Sequence, residues 1–271
     1  MVWIRHANPG FSGPAVLALL LLLGAIGGPA SRAAPQEVEQ QATPAAPLPP
    51  PGFLKGCLAL IEQKRYEQAR QLLAPVVAGH PGWARAHFYL ALTYHKENRY
   101  ERARELFQHA LQLDPEEHSI RLFYGWCLYY LGQLAASREM FDSLLAAKPE
   151  YPDAIFALGL IDFDDDDIDS ASGRFRKAIA LARKGKDEAT EAKARARLAD
   201  VLVRSGELQL ARDELVRSIE LNPGNYETYF KLSRVLQRLG DSKGADAARR
   251  DHDRVRQRVR PAGPRQPPET P

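Results

Sequence analysis

Cysteine occurs only twice in the 271 residues, which excludes a disulfide-stapled scaffold and a zinc site built on four thiolates. Neither sign of charge prevails. Thirty-seven Lys and Arg stand against 34 Asp and Glu, a net of +3, too even for a chain dedicated to nucleic acid. No apolar run reaches the roughly 18 residues a membrane span asks for. A glycine-rich phosphate loop, a nucleophile elbow and a two-cysteine motif are all missing. The histidines His80, His87, His95, His109, His118 and His252 fall at no metal-ligand spacing. An acidic run (Asp162, Asp164, Asp165, Asp166, Asp167, Asp169) lacks the glycine at its sixth place and the glutamate at its twelfth that a calcium loop needs; Asp167 and Gly173 stand there. The expectation is a chain with no catalytic residue, no metal site and no cofactor, hence no enzyme. What is present, 45% hydrophobic and 26% charged residues, is ordinary globular composition.

The first 33 residues read as a secretory signal. Arg5 precedes an apolar run of 12 at residues 15–26 (AVLALLLLLGAI), Gly27, Gly28 and Pro29 break it, and Ser31 and Ala33 supply the small residues that favour cleavage before Ala34. Export to a bacterial periplasm or cell envelope is the expectation, and an uncleaved membrane anchor the alternative. Residues 34–52 carry six prolines and few bulky apolar groups, the signature of a semi-extended linker, and residues 260–271 form a similar proline-rich tail.

Between them one period governs. Pro81, Pro115 and Pro149 lie 34 residues apart. Ala69, Ala103, Ser137, Ala171, Ala211 and Ala245 form a small-residue column with steps of 34, 34, 34, 40 and 34, and Cys57, Ala91, Gly125, Gly159, Ala199 and Ser233 keep the same steps. Bulky columns run through Tyr66, Tyr100, Leu134, Ile168 and Leu208, and through Leu73, Phe107, Phe141, Phe175 and Leu215. Inside each unit the apolar spacing is three and four, as in Phe88–Leu92 and Leu106–Ala110–Leu113, which is helical. Two packed antiparallel helices per unit follow, small residues permitting their close approach and proline ending each unit. Six extra residues in the region 183–190 make the fourth-to-fifth step 40, and Arg183 stands where a proline ends other units.

The segment ARAHFYLALTYHKENRYERARELFQHALQLDP places Leu90, Ala91, Tyr94, Tyr100, Ala103, Phe107, Ala110 and Pro115 in a pattern that resembles the tetratricopeptide repeat. The resemblance implies an all-α fold, a right-handed superhelical solenoid of six helix-turn-helix repeats over residues 53–259. Its units lie near 50–83, 84–117, 118–151, 152–185, 192–225 and 226–259. It also implies a non-catalytic scaffold or adaptor holding a protein or peptide in a groove lined by the first helix of each unit. The residues offset from the packing columns would then be the partner-binding set. These are Phe88, Tyr89, Leu92, Phe123, Trp126, Tyr130, Phe156 and Leu160 in an apolar half, and Arg197, Arg204, Lys231, Arg234 and Arg238 in a basic half. A partner with apolar anchors and acidic residues fits such a groove, with no role for nucleic acid, and for membrane only if the signal segment is kept.

Four local expectations complete the reading. Cys57 and Cys127, two repeats apart, stay unbridged. Asp162, in a column otherwise of Leu and Tyr, is either open to water or paired with an arginine. Stacking is weakest between the fourth and fifth units, unless the extra residues simply lengthen helices. The last helix buries Ala245, Ala248, Val255 and Val259 and turns arginines outward as a cap.

Overall fold

A computed structural model describes residues 49–259. The expected signal at 1–33, the linker up to residue 48 and the tail from residue 260 lie outside the described residues. Within them the chain forms twelve helices: α1 (Phe53–Glu62), α2 (Tyr66–Gly79), α3 (Ala84–Lys96), α4 (Tyr100–Leu113), α5 (His118–Tyr130), α6 (Leu134–Ala147), α7 (Pro152–Asp164), α8 (Ile168–Gly185), α9 (Glu188–Arg204), α10 (Leu208–Leu221), α11 (Tyr226–Arg238) and α12 (Ser242–Val259). They pair in order and stack as a helical solenoid.

The two small-residue columns are buried throughout the stack. The reason for their size is visible where they meet the bulky column. A Cβ added to Gly125 would stand 2.8 Å from the Phe141 ring, and one added to Gly159 would stand 2.8 Å from the Phe175 ring. Phe107, Phe141 and Phe175 are completely enclosed, so these rings have no room to retreat. Ser137 adds a polar tie across the same contact, its hydroxyl donating to the Gly125 carbonyl at 2.8 Å.

Each unit turns between its helices on one left-handed residue: Lys64, Asn98, Gly132, Asp166, Gly206 or Gly240. The amide after it reaches back five residues, as Arg65 does to Leu60 and Glu207 to Leu202, while its own amide bonds a nearer carbonyl. This Schellman arrangement satisfies carbonyls that a helix end otherwise leaves open.

The fourth-to-fifth junction departs from the expectation of weak stacking. With Arg183 in place of proline, nothing stops α8, which runs 18 residues where its counterpart α6 has 14. It ends in a further left-handed turn at Lys186, and Asp187 then caps α9 by accepting the Thr190 amide at 3.0 Å. α9 has 17 residues against 13 in α7, so the fifth pair begins at Glu188 rather than near residue 192. The extra residues therefore lengthen both helices by about a turn. α8 and α9 pack over a longer interface than any other inter-unit pair of the described helices.

Cys57 and Cys127 are buried and free. Cys127 donates to the Tyr100 carbonyl at 3.1 Å, and burial pushes its thiol up to about 12. On α12, Ala245, Ala248 and Val255 are buried, but Val259, the last described residue, is 55% exposed. His252 lies between the Tyr226 and Phe230 rings.

Two glycines separate backbone strain from helix propensity. Gly206 has φ +80° with open space around its Cβ position, whereas Gly173 lies inside α8, also with open space. Gly206→Ala should lose about 1 kcal/mol of stability through its left-handed backbone. Gly173→Ala should gain up to about 1 kcal/mol through helix propensity. Urea unfolding midpoints of the two variants check both signs.

Candidate functional site

The first helices α3, α5, α7, α9 and α11 together line a concave pocket of about 450 Å³. α5 and α7 give it an apolar wall of Leu122, Phe123, Trp126, Tyr130, Phe156 and Leu160. α9 and α11 give a polar wall of Lys193, Arg197, Thr228, Glu227 and Lys231, with Asn225 at its edge, while Asp153, His95, Lys96 and Ala196 complete the lining. Trp126 is the hub of the apolar wall. Its ring meets Tyr129 at 5.8 Å, Tyr130 at 6.1 Å, Phe141 at 5.6 Å and Phe156 at 6.1 Å between centroids. It is half-buried.

Of the residues anticipated from the sequence, the structure brings Phe123, Trp126, Tyr130, Phe156, Leu160, Arg197 and Lys231 into this one pocket. Arg234 and Arg238 lie with Lys231 and Asp200 on a second cavity of about 130 Å³. Four others lie elsewhere. Phe88 is buried against Phe107 and Phe123, and Leu92 is sealed in the cluster that joins the first two units. Tyr89 is partly buried against the same packing. Arg204 stacks over the Phe163 ring at 4.7 Å and pairs with Asp166 at 2.9 Å. At the N-terminal end these offset positions belong to the core.

Sequence reasoning missed His95, Lys96, Leu122, Asp153, Lys193, Ala196, Asn225, Glu227 and Thr228. Two signals were available. Leu122 lies one period from Phe88 and from Phe156, and Lys193 occupies the same register as Asp153 and Glu227. The second half is also less basic than its arginines suggest. Asp200 accepts Lys231 Nζ at 2.6 Å and Arg197 Nη1 at 3.3 Å, and Asp153 and Glu227 face the same space. Lys96 and Lys193 make no ion pair among the described residues.

The acidic run is a set of ties between units. Asp162 is buried, with Arg138 Nη1 at 2.7 Å and Arg174 Nε at 2.5 Å, so arginine pairing is the outcome that holds. Arg138 also reaches Asp165 at 2.9 Å, and the Tyr129 hydroxyl donates to Asp164 at 2.7 Å. Asp167 caps α8 by accepting the Ser170 amide. No group of three or more metal-ligating side chains able to hold an ion exists among the described residues.

Comparison with known proteins agrees with this architecture. Models of the tetratricopeptide repeat match residues 57–118 and 94–161. A CTR9 homolog of Arabidopsis thaliana is 37% identical over 70 residues, 26% of this chain and 6% of that protein. The crystal structure of the APC/C hetero-tetramer Cut9–Hcn1 superposes with a TM-score of 0.68 at 19% identity, over 75% of this chain and 39% of that one. PilF of Pseudomonas aeruginosa superposes with 0.62 at 20% identity, over 78% and 92%. The two structural likenesses are of fold alone. The chain spans a small part of the first relative and well under half of the first structure.

One buried base at the pocket has a measurable consequence. His95 is 9% exposed, ringed by Tyr100, Phe107, Phe123 and Tyr130 at 5.3 to 6.1 Å, and its Nδ1 has no hydrogen-bond partner. Burial, with the nearby Lys96 charge adding to it, pulls its pKa from 6.5 down to about 4. The unfolded chain then binds a proton that the folded chain refuses between those values. Stability from this group is complete above pH 6.5 and is lost as pH falls toward 4, at most on the order of 3 kcal/mol. Burial lowers His87 as well, with the same sign. Denaturant unfolding at pH 5 and pH 7.5 should show the loss, and His95→Leu should shrink it.

Proposed function

Because the chain is a tetratricopeptide-repeat protein, we propose that it is a non-catalytic scaffold that holds a segment of a protein partner in the concave pocket of its first helices. Supporting this reading above all is the half-buried Trp126 set in an apolar wall opposite charged side chains. Aromatic side chains give large contact area for little lost freedom, and adjacent cations orient a partner. A matching segment seats bulky apolar side chains on α5 and α7 and places acidic groups toward Arg197 and Lys231.

The setting we propose is the bacterial cell envelope, and the support is the signal-like pattern of residues 1–33. Retention of that segment as an anchor is the second reading, although its 12-residue apolar run is shorter than a membrane span. No helix among the described residues is long and apolar enough to cross a membrane. N-terminal sequencing of the protein recovered from the native host separates the two: a start at Ala34 supports cleavage, and a start at Met1 supports an anchor.

Affinity capture from the native envelope fraction supplies the partner for the decisive measurement. Trp126→Ala should weaken its binding by about 2 kcal/mol, close to thirtyfold. Arg197→Gln should cost less and chiefly flatten the dependence of association on salt. Trp126→Phe, which keeps the packing against Phe141, should recover most of the affinity. If both loss variants melt like the wild type and bind equally well, the partner lies elsewhere on the solenoid.

A further inference from the structure

Three cations along the groove are already paired. Asp200 takes Lys231 and Arg197, and Asp166 takes Arg204. Lys96 and Lys193 differ: both are exposed, both line the pocket, and neither makes an ion pair among the described residues. They stand at opposite sides of the apolar wall. Lys96 closes the end of α3, with its ammonium 6.0 Å from the Phe123 ring centroid, and Lys193 rises from the first turns of α9. Between them lie α5 and α7, with Trp126, Phe156 and Leu160.

An ammonium that makes no ion pair on either side of an apolar stretch is complementary to a ligand that is acidic, then apolar, then acidic again. We infer that the partner segment carries a carboxylate at each end of its apolar anchor, one for Lys96 and one for Lys193. This rests on the reading of the pocket as a segment-binding groove and adds a second acidic position and a spacing to it. Packed helices stand about 8–10 Å apart, so three steps from α3 to α9 separate the two lysines by roughly 25 Å. An extended chain advances about 3.3 Å per residue, which sets the two carboxylates about eight residues apart. The same pocket holds Asp153 and Glu227 beside the α9 and α11 wall, so the acidic end must meet Lys193 itself and gains nothing from a general positive field.

The test uses the full chain and two fluorescein-labelled synthetic peptides of nine residues. One has a leucine–phenylalanine centre and glutamate at both ends; the other has glutamine at both ends. Anisotropy titration at low salt should show tighter binding of the glutamate peptide, and Lys96→Gln and Lys193→Gln should each weaken it about fivefold. Neither variant should alter binding of the glutamine peptide. Trp126→Ala should weaken both peptides. Loss on Trp126→Ala with no effect of either lysine variant, or an effect of only one, overturns the two-ended ligand and leaves the groove standing. An equal loss on both peptides would assign the lysines a structural role and also overturns it. If neither peptide binds and Trp126→Ala leaves the captured partner bound, the ligand and the groove reading fall together.

Discussion

A pair of helices in this chain cannot cover its own apolar face, and everything else in the structure answers to that deficit. The covering contact is a small residue on the first helix under a bulky one on the second, drawn to its limit where Gly125 and Gly159 lie beneath Phe141 and Phe175. Because the rings are fully enclosed, the approach of the two helices is set by ring thickness rather than by flexible side chains. Repetition of one contact at one spacing turns each pair by a similar amount, and the first helices come to share a concave surface. The groove is a consequence of that packing.

The repeat columns were legible because packing inside a unit is local: its small and bulky members are 16 residues apart, as Gly159 and Phe175 are, and recur with the period. The left-handed turn column was only half legible. Glycine marks it at Gly132, Gly206 and Gly240, but Lys64, Asn98 and Asp166 adopt the same conformation without that signal. The six-residue insertion could be read as a hinge or as longer helices, and a missing proline decided it. Once Arg183 replaces the stop, the hydrogen-bond ladder of α8 has no reason to end before Lys186.

At the groove the offset positions were legible as a surface but not as a set of free groups. Whether a cation is available depends on a partner in another unit. Lys231 and Asp200 are 31 residues apart, Tyr129 and Asp164 are 35 apart, and no short-range pattern announces either pair. Phe88 and Leu92 show the same limit for apolar residues. Phe88 shares the register of Leu122 and Phe156, and Leu92 that of Trp126 and Leu160, yet both pack among the first units and neither lines the pocket.

This distribution of charge has a further consequence for what the solenoid can distinguish. The inter-unit pairs are mostly half exposed, as Arg138 with Asp165 and Arg204 with Asp166 are, and exposed pairs contribute at most about 1 kcal/mol each. Their contribution to stability is therefore small beside that of the enclosed rings. Their effect on the groove is larger, because each pair removes a cation or a carboxylate from the inventory available to a partner. Arg204 and Asp166 neutralise each other, and Asp162 engages two arginines at once. A surface rich in charge by composition is thereby reduced to a few uncompensated groups around an aromatic wall. On the proposed reading, selectivity then depends on where those few stand rather than on the net charge of +3.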